Sequence, residues 1–73
     1  MSIDLYIKSI DGIEEEHNFE SLEDAYDTIN NYLGNMWDHG NSYAVNAYGD
    51  VTVTMHGATW DEYKRYKLGR MVE

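Results

Sequence analysis

Apolar positions along the chain follow two different periods. From Leu22, apolar residues recur at Ala25, Tyr26, Ile29, Leu33, Met36 and Trp37, one face of a 3.6-residue repeat, while Glu23, Asp24, Asp27, Asn30 and Asn31 fall on the other. Ser21, three residues before Asp24, has the character of an N-cap, and acids in the first turn suit the positive end of the helix dipole. The pattern predicts a helix over 22–37 that supplies the apolar stripe a small sheet must cover. Gly34 is a competing stop; a helix ending there leaves Met36 and Trp37 to cap the core from a loop.

The flanking stretches alternate with period two. Ile3, Leu5 and Ile7 alternate with Asp4, Tyr6 and Lys8, and Ile13, Glu15, His17 and Phe19 alternate with Glu14, Glu16 and Asn18. These predict strands over 2–9 and 13–19. Asp11-Gly12 marks the turn, and a three-residue loop, Ile10-Asp11-Gly12, keeps the faces consistent. It pairs Ile3 with Phe19 and Leu5 with His17, and sets Tyr6 across from Glu16 and Lys8 across from Glu14 on an acidic outer face. After a polar loop, Asp38 to Ser42, come predicted strands over 42–48 and 51–56. Here a loop of Tyr48-Gly49-Asp50 would pair Tyr43 with Met55, Val45 with Val53 and Ala47 with Val51 on the inner face. The outer face would then be Asn, Thr and His. Gly57-Ala58 ends the strand, Thr59 with Glu62 is a second capping box, and a short helix over 60–68 should stop near Gly69, with Arg70 to Glu73 frayed.

The order predicts an α+β fold, ββαββ(α), with a four-stranded, mainly antiparallel sheet and one long helix packed on one face. Two arrangements remain open: a β-grasp-like sheet with the terminal strands paired in the centre, and a simpler all-antiparallel sheet. Trp37 and Trp60 are expected in the core, whereas Tyr32, Tyr48, Tyr63 and Tyr66 have no obvious place in it.

Seventy-three residues make one domain with a thin core, since so short a chain buries only about 60% of its unfolded surface. No cysteine is present, so there is no disulfide framework and no thiolate for zinc. The first residues alternate instead of forming the apolar core of a signal peptide, and no run approaches the roughly 18 apolar residues of a membrane span. We therefore expect a complete, cytoplasmic protein.

Charge changes the picture more. The net charge is -9, with 14 acidic and 5 basic residues. Residues 1–62 hold 13 of the acids and Lys8 as their one base, whereas Lys64, Arg65, Lys67 and Arg70 crowd the end of the chain. Such a field disfavours nucleic acid and anionic lipid and favours a cationic partner. Solubility is the plain alternative account.

Candidate chemistry is sparse. His17, His39 and His56 share no metal-site spacing, and Asp11 to Glu16 lacks the alternating ligands of a calcium loop, so no metal or cofactor is expected. Of the carboxylates, Glu15 alone lies on the inward face of a strand, where a general acid could be tuned. Ser9, Ser21 and Ser42 lack a nucleophile elbow, and no glycine-rich phosphate loop exists. We expect no enzyme.

The acids form two groups: Glu20, Glu23, Asp24 and Asp27 about the helix start, and Asp4, Asp11, Glu14 and Glu16 on the first hairpin. Tyr48, beside Asp50 at a hairpin tip, is the preferred exposed anchor. In size, acidity and absence of cysteine the chain resembles the small phage-encoded inhibitors that act as DNA mimics, the anti-restriction and anti-CRISPR proteins. No motif carries this resemblance, and the basic end departs from a pure mimic. It implies a monomer or weak homodimer in a bacterial host that presents these ten residues to the cationic groove of a nucleic-acid-handling enzyme. The competing expectation is a structural or regulatory module that self-associates through a sheet edge or a Tyr-rich surface.

Overall fold

The computed structural model describes residues 2–72, with side chains to residue 67. It is an α+β domain: β1 (Ile3–Ser9), β2 (Glu14–Phe19), α1 (Leu22–Leu33), β3 (Trp37–His39), β4 (Tyr43–Asn46), β5 (Val51–His56) and α2 (Trp60–Val72). The five strands form one sheet in the order β2-β1-β5-β4-β3, antiparallel throughout.

β1 forms because Ile3, Leu5 and Ile7 all turn to one face, where they are buried. Its pairing with β2 sets Ile3 opposite Phe19, Leu5 opposite His17 and Lys8 opposite Glu14, the register of the three-residue loop. α1 starts where Ser21 caps it, its hydroxyl accepting from the Asp24 N–H. Ala25, Tyr26, Ile29 and Leu33 bury the apolar stripe against the sheet.

Three expectations are corrected. First, α1 ends at Leu33, not at residue 37. Gly34 takes φ +68° and its N–H bonds the Asn30 carbonyl, which turns the chain out of the helix. Trp37 then starts a fifth strand, β3, which pairs with β4, and Met36 is exposed instead of buried. Second, the β4–β5 register is one residue off the expected one. Ala44, not Val45, faces Val53, so Ala44 is buried while Tyr43 and Val45 turn to the outer face. The cause is Asn46, whose Oδ1 accepts from the Asp50 and Val51 N–H groups. With the Gly49 N–H on the Asn46 carbonyl, this builds a four-residue loop, 47–50, in place of three. β4 accordingly spans Tyr43–Asn46, shorter than 42–48. Third, α2 runs through Gly69 to Val72 instead of stopping near residue 68. One interior glycine costs a helix about 1 kcal/mol, too little to end it. Glu73 lies outside the described residues.

The parity of the strands decides the arrangement. β1 and β5 pair in the centre, as in the β-grasp alternative, but antiparallel. The chain leaves α1 at one end of the sheet, and the added strand β3 reverses its direction before β4. Without β3, β5 would run parallel to β1.

Both helices lie on one face. α2 is held there by rings: Tyr63 sits 5.2 Å from both Tyr26 and Trp37, and Trp37 sits 5.7 Å from Trp60. Tyr63 is fully buried, Tyr32 and Tyr66 are partly buried, and Tyr48 alone of the four unplaced tyrosines is exposed. The other face of the sheet is uncovered. Across its middle run Glu16, Tyr6, Thr54 and Tyr43.

Candidate functional site

The topology sorts the loops to two ends. β1–β2 (10–13), α1–β3 (34–36) and β4–β5 (47–50) share one end, which we call the tip. The Ile10 N–H donates to the Asp50 carbonyl, tying the two hairpin tips together. β2–α1 and β5–α2 turn at the other end.

The expected carboxylates divide accordingly. Asp11, Glu14 and Asp50 gather at the tip, with Tyr48 beside them. Glu14 and Glu16 project from the uncovered face of β2, which is a sheet edge. Glu20 follows β2 at the far end, next to Asp24 in the first turn of α1. Asp11, Glu14, Glu15, Glu16, Glu20 and Asp24 are all exposed and follow the β2 edge from end to end. Asp27 is placed elsewhere: it lines the cleft between α1 and α2 with Tyr26, Asn30, Tyr63 and Lys67. Glu23, one turn earlier, shares its side of the helix. Asp4 is held by the Asn18 amide on the uncovered face. The helix acids are therefore split: Glu20 and Asp24 lie with the hairpin acids at the β2 edge, whereas the sheet separates Glu14 and Glu16 from Glu23 and Asp27.

The inward face of β2 carries a small polar cluster. The Tyr32 hydroxyl of α1 donates to Glu15 Oε2 at 2.9 Å, and His17 Nε2 lies 3.6 Å from Glu15 Oε1. Bonding to the carboxylate pushes the Tyr32 phenol up from its usual range. This is a latch tying α1 to the edge strand. Sequence pattern marked Glu15 but not Tyr32, whose partner is 17 residues away.

His39, expected in the polar loop from Asp38 to Ser42, stands on β3 with its ring 5.3 Å from Trp37 and Nε2 4.0 Å from Asp61 of α2. His56 is exposed on β5. Among the described residues no three His, Asp or Glu side chains are placed to hold a metal ion. No helix among them is long and apolar enough to cross a membrane. Part of the basic end folds back: Lys67 Nζ bonds the Gly34 carbonyl at the negative end of α1 and lies 5.8 Å from the Tyr63 ring centre. Burial lowers the Lys67 ammonium below its usual range.

Burial pushes the Tyr63 phenol up to about 12. A folded-state value above the ordinary 10.0 means its contribution to stability is complete below about pH 10 and is lost as pH rises toward 12. The difference corresponds to roughly 2–3 kcal/mol. Urea unfolding between these limits should show the wild type losing stability more steeply than Tyr63→Phe. Equal slopes would mean that this phenol does not carry the alkaline transition.

No family model matches the chain, and comparison with curated proteins and with solved structures gave no match.

Proposed function

We propose that this protein is a non-enzymatic acidic binding protein, encoded by a phage or mobile element, that inhibits a nucleic-acid-handling defence enzyme by occupying its cationic DNA- or RNA-binding groove. One observation carries the reading: the exposed carboxylates that follow the free edge of β2 from the tip to the start of α1. Six strand residues at about 3.3 Å each make that edge roughly 17 Å long before its loops are added. A row of fixed negative charge on a rigid rod is what a groove built for phosphates receives.

The sheet edges weigh against the competing module that self-associates. β2 presents three consecutive glutamates, and β3 is only three residues long. Charged or very short edges resist strand addition.

The test is capture from bacterial lysate on the immobilised protein. Retained proteins should be nucleic-acid-binding enzymes, released by raised salt and by excess duplex DNA or RNA. Glu14→Lys with Glu16→Lys should weaken retention by about 1 kcal/mol or more. Retention that survives salt, competitor and these reversals would remove the groove-occupancy reading.

A further inference from the structure

The most exposed large apolar side chains are not scattered. Tyr48 (89% exposed), Ile10 (78%), Met36 (74%) and Ile13 (60%) all stand in the three loops of the tip, while the other two exposed ones, Tyr6 and Tyr43, reach only 47% on the uncovered sheet face. The four come from three separate stretches of chain. The Ile10–Asp50 backbone bond sets the first hairpin tip beside Tyr48, and Met36 and Tyr48 line one cleft of about 340 Å³ with Asn31, Tyr32 and Asn46. That volume is at the lower end of the range for ligand-binding clefts.

Such side chains at loop tips gain nothing in folding and cost solubility. The turns themselves do not need them: Gly12 and Gly49 supply the positive φ angles, at +87° and +72°, and Asn46 braces the second loop. Around the four stand Asp11, Glu14 and Asp50, against a single neighbouring base, Lys8, which pairs across from Glu14 and lines a cleft with Ile10 and Asp50.

We infer that the tip is the anchoring end of the interface: Ile10, Ile13, Met36 and Tyr48 enter an apolar pocket on a protein partner, and the carboxylates around them meet Lys and Arg at its rim. An apolar centre inside a polar ring is the usual arrangement of an interface hot spot. The charge selects the occupant. A second copy of this chain would bring its own three carboxylates against these, whereas a basic rim is complementary. The inference rests on the proposed cationic partner and adds where that partner grips.

Two synthetic probes test it with the full chain. Hexa-arginine amide carries charge alone; an alternating Arg-Trp hexapeptide amide carries charge and rings. Titrated into the ¹⁵N-labelled protein, the Arg-Trp peptide should shift amides in residues 10–14, 34–36 and 47–50 and bind at least about tenfold tighter than hexa-arginine. Ile13→Ser with Tyr48→Ser keeps every carboxylate and alters only exposed positions, so its unfolding midpoint should hold. In that variant the Arg-Trp advantage should vanish. Equal affinity of the two peptides, or shifts confined to α1, would overturn the inference. Hexa-arginine bound along the β2 edge, with no gain from Trp, would do so while leaving the groove reading intact. Binding of neither peptide would overturn both.

Discussion

Gly57→Ala is expected to remove a large part of the protein's stability at room temperature. Gly57 follows the last residue of β5 and has φ +98°, where an L side chain is strained. A Cβ there would also stand 2.3 Å from the Ser2 carbonyl oxygen and 3.3 Å from Ile3 Cα. Both are backbone atoms, and β1 is pinned beside β5 by the pairing of Asp4 with His56 and Leu5 with Met55. No rotamer change relieves the contact, so the central strands must part at that end. The expected loss is more than about 3 kcal/mol, against a total of about 4–11 kcal/mol for a chain of this length. Gly12→Ala is the control. Gly12 has a similar φ, +87°, but open space around it, and should lose only about 1 kcal/mol. Urea unfolding of the two variants separates backbone strain from collision. Equal losses would show that the approach of Ser2 to Gly57 is not what requires glycine.

Tyr63→Ala should cost about 3–5 kcal/mol, the range for removing a buried aromatic ring. Tyr63 is 1% exposed and lies among Tyr26, Trp37 and Trp60, joining α2 to α1 and β3. Its loss should release α2 before the sheet opens. Amide exchange should show this, with α2 losing protection while β1 and β5 keep theirs, because the ring cluster is on one side of the molecule and the β1–β5 pairing does not depend on it. Both tryptophans are in the cluster, so the near-ultraviolet dichroism should fall with it. A midpoint displaced by less than about 1 kcal/mol, with the dichroism intact, would mean that α2 is anchored elsewhere.

The fold ties charge to shape in a way composition could not. Net charge alone allows a uniformly solvated surface. The fold instead strings one set of acids along a sheet edge, turns Glu23 and Asp27 to the other layer, and brings three carboxylates to the end where the exposed apolar side chains stand. Half of the expected binding residues thus fall on or beside one edge. The apolar tip was legible only in part: Tyr48 stood out at a hairpin turn, whereas Ile10, Ile13 and Met36 read as loop or core residues, since nothing local says that three loops will meet.

The chain's own periodicity was enough for α1 from its Ser21 cap, for the faces of β1 and β2 and for their register. In each, neighbouring residues compete for one buried side, and a slip of one residue would put polar groups inside. β3, the β4–β5 register and the exposure of Met36 belong to the tertiary structure. Three residues are too few to show a period, and Trp37 continues the helical stripe on paper. Only the turn at Gly34 and the free edge of β4 make it a strand. In the second hairpin, Val45 and Ala44 are both apolar enough to be buried, so hydrophobicity could not choose between two registers. The Asn46 side chain, by bonding the Asp50 and Val51 amides, made the choice.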